Sequence, residues 1–202
     1  MKTLRQEKEL STRTLSTKEH IGITALLIVS AVLLRYWWQD FPNFEPIMLV
    51  TLISASILNK HWAFVVAIAS IALSDIFIGN SAILLFTWSA WAGISIASFR
   101  LRRRSKKPSR YAIELTGMGM LGVLFFFIWT NFGVWLQGWY PMTISGLVQS
   151  YINALPFLYK HMQSVLVTVP IGSVIFLLAY GYYVKARLDY SASTAHNLEY
   201  KQ

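Results

Sequence analysis

The chain of 202 residues contains no cysteine. It can build neither a disulfide framework nor a thiolate metal site. Charge is scarce too: 13% of residues are Asp, Glu, Lys or Arg, and only nine are acidic. Soluble domains carry about 25% charged residues, so this chain has too few to dress a water-facing surface. The usual catalytic sets are missing, with no HExxH, no GxSxG, no Walker A loop and no paired His-carboxylate spacing. A serine stands at the turn Gly79-Asn80-Ser81, but His20, His61, His161 and His196 are all distant from it in sequence. Internal repeats and low-complexity segments are absent. The expectation is a protein that is not an enzyme and carries no cofactor.

What the chain has instead is apolar length. Hydrophobic residues make up 55% of it, and its apolar runs approach the roughly 20 residues that cross a bilayer as a helix. Six spans are expected, over 21–38, 45–59, 62–79, 81–99, 111–136 and 163–184. The second is short, the fifth is long enough to tilt, and Pro170 with Gly172 invites a kink in the sixth. The fold class expected is all-α, a six-helix integral membrane bundle over 20–188. Polar cytoplasmic tails of 1–19 and 189–202 flank it. The first run follows a basic segment without a small-residue cleavage site, so it reads as a retained span.

The net charge of +9 could suggest nucleic acid, but its distribution points to a membrane. With the N-terminus inside, sixteen of the 18 Lys and Arg fall on the cytoplasmic side, among them the cluster "RLRRRSKKPSR" at 100–110. Only Arg35 and Lys160 fall toward the other face. This asymmetry predicts an N-in, C-in, multi-pass protein with no nucleic-acid role. The cluster suits anionic lipid headgroups or a cytoplasmic partner.

On the outer side, "QDFPNFEP" (39–46) is acidic and aromatic. The stretch 137–162 carries Ile144, Leu147, Val148, Tyr151, Ile152 and Leu155 at helical spacing. Thr143 is a suitable N-cap and Pro156 a suitable stop, so a short amphipathic helix over the outer mouth is expected. Small residues at Ser89, Gly93 and Ala97, at Ala63 and Ala67, and at Gly117, Gly119 and Gly122 allow close helix packing.

Asp75 is the sharpest single residue, since "IALSDIFIG" places a carboxylate in an apolar run where only water or a partner makes it tolerable. It reads either as a functional group or as a hydrogen-bond hub with Asn131 or Arg35. Arg35 otherwise snorkels outward, and Glu114 faces headgroups. Trp37, Trp38, Trp135, Trp139 and Tyr140 gather at the outer boundary as an aromatic belt. A belt does not need Asn43, Glu45, Asp75, Asn80, Asn131 and Asn153 near the same face. Polar groups converging among rings are what a small-molecule pocket requires.

"PNFEPIML", "LSDIFIG" and "TNFGVWLQGWYPMTISGLVQSYINALPF" resemble signatures of an uncharacterised family of small six-helix bacterial membrane proteins. The resemblance spans residues 35–157. That family is similar to the substrate-binding S-components of energy-coupling-factor vitamin transporters, including the BtuM-like cobalamin type. The resemblance implies a bacterial inner-membrane location, an outward-facing pocket and an energy-coupling ATPase module as partner. Two departures stand out. The cobalamin type uses a cysteine on cobalt, and this chain has none. The first span, with "ALLIVSAV" at 25–32, has only an imperfect small-x-x-x-small docking pattern.

The leading expectation is a membrane subunit that binds a vitamin-like small molecule for uptake. Asn43, Glu45, Asp75, Asn80 and Asn131 would orient the ligand, while Trp88, Trp135, Trp139, Tyr140 and Tyr151 would stack on or cover it. His161, the one histidine the topology places on the outer face, would take the cobalt position if the ligand were a cobalamin. The rival is a membrane scaffold or assembly protein that binds a partner through its outer loop.

Overall fold

A computed structural model describes residues 16–38, 46–79, 82–101 and 107–199, with side chains at 184 and 187–199 excepted. Among these residues the chain forms six helices and no strands: α1 (Thr17–Trp37), α2 (Pro46–Ile57), α3 (Lys60–Ile78), α4 (Leu84–Ser98), α5 (Pro108–Leu136) and α6 (Ile144–Glu199). Five of them, α2 excepted, are long and apolar enough to cross a membrane. The protein is an all-α membrane bundle.

Local chemistry fixes the helix starts. Ser16 caps α1 through a capping box: its Oγ accepts from the Glu19 amide at 3.3 Å, and Glu19 Oε2 accepts from the Ser16 amide at 2.8 Å. Asn59 caps α3 by accepting from the Trp62 amide at 3.2 Å. Thr143 caps α6, its Oγ1 accepting from the Gly146 amide at 3.1 Å. At the end of α3, Gly79 holds φ at +86°, a left-handed value that glycine adopts without strain.

The short helix α2 is the centre of the bundle. Ten of its 12 residues are buried, as expected of a helix that is apolar on every side. Twelve residues rise about 18 Å, well short of the roughly 30 Å hydrocarbon core. Met48, near its start, packs against α5 at half height. A Cβ on Gly122 would lie 3.0 Å from Met48 Cε, and one on Gly119 would lie 2.8 Å from Val165 of α6. These two glycines let α2 and α6 close on α5. At the C-terminal end of α2 the buried Ser56 and Tyr111 hydroxyls share a 2.6 Å hydrogen bond. His20 stacks on Trp62 nearby, tying α1 to α3.

Two expectations change here. The amphipathic segment 144–155 is helical, but it is not a separate helix. It runs without a break into the sixth span, making α6 56 residues long with Pro156 and Pro170 inside it. A proline removes one backbone bond, and the packed neighbours of a membrane helix tolerate that loss. The small-residue face of α4 is only partly used: Ser89 and Gly93 meet Trp129 and Phe125 of α5, whereas Ala97 is exposed.

Candidate functional site: the outer half of the α5–α6 seam

The sequence-predicted site residues separate into three groups, and Asn43, Glu45 and Asn80 lie outside the described residues.

The first group joins α1, α3 and α4. Asp75 is buried in the last turns of α3. Its Oδ1 is 3.1 Å from Arg35 Nη1, and its Oδ2 accepts from the Trp88 indole at 2.8 Å. Arg35 also donates to Ser74 Oγ at 2.8 Å. Arg35 therefore turns inward to this cluster and does not snorkel outward. Paired attraction and three hydrogen bonds offset the cost of removing the two charges from water. With both carboxylate oxygens engaged, Asp75 has the geometry of a hub joining three helices.

The second group holds the outer connection between α5 and α6. The Trp135 indole donates to Pro141 O at 3.1 Å, and Asn153 Nδ2 donates to the Tyr140 hydroxyl at 3.1 Å. Gln149 in turn donates to Asn153 Oδ1 at 2.7 Å. The Tyr151 hydroxyl donates to Ile128 O at 2.9 Å. Gln137 donates to Ala82 O, linking this connection to the start of α4. Trp139 is 59% exposed and stacks on none of these groups. Trp135, Tyr140 and Tyr151 fasten this connection, and none of the four aromatic residues lines the pocket between α5 and α6.

The third group does line one. A pocket of about 160 Å³ lies between α5 and α6, walled by Phe126, Phe127, Phe157 and Leu158, with Thr130, Asn131 and His161 as its polar groups. Tyr151 borders it at one remove, its ring centroid 5.6 Å from that of Phe127. Thr130 Oγ1 donates to Phe126 O at 2.7 Å and Asn131 Nδ2 to Phe127 O at 2.8 Å. Thr130 thereby satisfies its donor within α5 and Asn131 one of its two, and both leave oxygen lone pairs over. His161 is 94% buried (6% exposed), sits edge-on to Phe126 with centroids 5.8 Å apart, and its Nε2 has no hydrogen-bond partner among the described residues. A buried polar atom without a partner is costly, so native structures keep few of them.

His161 is not at the outer surface, where the expectation put it. Its neighbour Phe126 is one turn above Gly122, the midpoint of α5, and Val165, one turn further along α6, meets Gly119. The imidazole therefore sits near mid-height. The displacement follows from the continuity of α6: a helix that does not stop at Pro156 carries residues 157–162 down alongside α5.

Sequence reasoning missed Phe126, Thr130, Ala154 and Phe157. The signal was present as spacing. Ala154, Phe157 and His161 recur at helical intervals, as do Phe126, Phe127, Thr130 and Asn131. It becomes visible only when α6 is read through Pro156. No group of three or more His, Cys, Asp or Glu side chains able to hold a metal occurs among the described residues.

A model of a family of unknown function (DUF6580) matches residues 15–188, and the chain belongs to that family. No curated protein and no solved structure matches it.

Proposed function

We propose that the protein is a substrate-binding subunit of the bacterial inner membrane that takes up a vitamin-like small molecule, in the manner of an S-component. The observation that carries this reading is the buried, unpartnered His161 Nε2 in a pocket between two membrane-spanning helices. An ionisable side chain in a span is costly and marks a functional site by default. The pocket occupies the outer half of the seam, where a molecule arriving from outside is captured. The chain has no Walker A loop, so uptake is either driven by a partner such as a coupling ATPase module or is a simple equilibration.

Pocket size narrows the ligand. A cavity of about 150 Å³ holds a single benzene ring, so the 160 Å³ found here is far too small to enclose a corrinoid. The ligand is accordingly a small vitamin and not a cobalamin, and His161 serves as a hydrogen-bonding group instead of a cobalt ligand.

Native mass spectrometry of the full-length protein against a vitamin panel tests this reading. One small adduct is expected on the wild type and none on Ala154→Phe, which fills the pocket. Absence of any adduct, together with unchanged vitamin uptake by native cells lacking the protein, would sink it. The scaffold reading is favoured by the apolar residues exposed around the outer turn, Trp139, Met142 and Ile144. It predicts co-purification of a membrane partner that is lost when these three are made polar.

A further inference from the structure

We infer that the α5–α6 pocket takes an uncharged, flat, one-ring heterocycle with a hydrogen-bonding edge, held at that edge by His161, Thr130 and Asn131. The inference relies on the proposed function only in taking the pocket as a ligand site, and it does not require transport.

Four features set the ligand class. Size comes first: an apolar cavity of about 150 Å³ holds one benzene ring, so 160 Å³ admits a single ring with a small substituent. Shape follows from the Phe126, Phe127 and Phe157 side chains in the wall, which favour a flat π-face. Charge is excluded because no Asp, Glu, Lys or Arg lines the pocket, and a buried ion without a counter-charge is prohibitively costly.

Polarity is required by the histidine. Nε2 of His161 is unpartnered, and it donates or accepts one hydrogen bond according to its tautomer. Thr130 Oγ1 and Asn131 Nδ2 donate to the carbonyls of Phe126 and Phe127, so the Thr130 and Asn131 oxygens are left to accept, and Asn131 keeps a second N–H. An edge with a donor beside an acceptor, as in a primary amide or a lactam, satisfies all three groups. A purely apolar molecule would leave His161 as it is now, buried and unsatisfied.

Nicotinamide is a probe of this class: one ring, no charge, and an amide edge. Nicotinate has the same shape with a negative charge, and toluene has the ring without the edge. The experiment is equilibrium dialysis of each probe against full-length protein in nanodiscs, using the wild type, His161→Phe, His161→Gln and Ala154→Phe. Saturable nicotinamide binding is expected in the wild type. It should be about tenfold weaker in His161→Phe, where the ring volume is kept and the hydrogen bond lost. His161→Gln should restore most of it, and Ala154→Phe should abolish it. Nicotinate should bind at least about tenfold more weakly than nicotinamide.

Equal binding of nicotinamide by the wild type and His161→Phe, with full competition by toluene, would show a greasy hole and overturn the inference. A preference for nicotinate, or no binding of nicotinamide to wild-type protein, would overturn it too. Uptake by intact native cells, which supply any coupling partner, separates this inference from the proposed function. Binding without uptake refutes the transport reading and leaves the pocket assignment standing. Uptake of a vitamin that survives Ala154→Phe refutes the pocket and leaves transport standing.

Discussion

Replacing Asp75 with asparagine removes the charge that Arg35 faces while keeping an oxygen for the Trp88 indole. In the native protein Asp75 sits 3.1 Å from Arg35, with side chains 5% and 23% exposed respectively. Deleting one member of a buried pair costs about 3–5 kcal/mol, because the survivor is left uncompensated. Arg35 keeps some solvent and its 2.8 Å bond to Ser74, which lowers the expected loss for Asp75→Asn to about 2–3 kcal/mol. Replacing both residues with leucine removes the desolvated charges together. The double variant should therefore be more stable than the sum of the two single losses predicts, with a coupling of about 2 kcal/mol. The assay is reversible unfolding in mixed micelles of SDS and a mild detergent, run on wild type, both single leucine variants and the double. Ligand affinity is measured on the same preparations. Additive losses would refute the hub argument. So would an Asp75→Asn protein as stable as wild type that binds ligand more weakly, because the carboxylate would then be a ligand group and not a joint.

Three further outcomes are expected. A cysteine at Ser105, in the basic cluster, should be labelled only from the cytoplasmic side and one at Gln137 only from outside; labelling of both from one side would break the N-in, C-in arrangement. Tyr111→Phe should cost about 1 kcal/mol in the same unfolding assay, since Ser56 Oγ keeps its 2.7 Å bond to Ile53 O and loses only the 2.6 Å bond to the Tyr111 hydroxyl; no loss would mean that this second bond adds nothing to stability. Pro156→Ala should raise stability by about 1 kcal/mol or more by restoring a bond inside a continuous helix; unchanged or lower stability would show that the helix turns at Pro156.

Much of the fold was legible because the bilayer simplifies the reading. A backbone in hydrocarbon must satisfy its own hydrogen bonds, so long apolar runs become helices. Spans 21–38, 62–79, 81–99 and 111–136 correspond closely to α1, α3, α4 and α5. Caps such as Thr143 were legible because they depend on neighbours three residues away. The end of the amphipathic segment was misjudged for the opposite reason. Proline stops a helix in water, whereas packing against α5 carries this one through Pro156. The candidate site was only partly legible: Asn131 and His161 were named, whereas Trp88 bonds Asp75 and Trp135, Tyr140 and Tyr151 hold the α5–α6 connection.

By itself the sequence determined a helical membrane protein, because hydropathy acts through the bilayer and needs no knowledge of neighbours, and its charge asymmetry predicts an orientation with sixteen of the Lys and Arg on one side. Only the tertiary structure decided which helix stands at the centre, where Asp75 finds its cation and where His161 sits in depth. In lipid, apolar side chains gain little by choosing one apolar neighbour over another, so their pattern along the chain does not report who packs on whom. That choice falls to the close approach over Gly119 and Gly122 and to a few paired polar groups, and neither can be read before the helices are placed side by side.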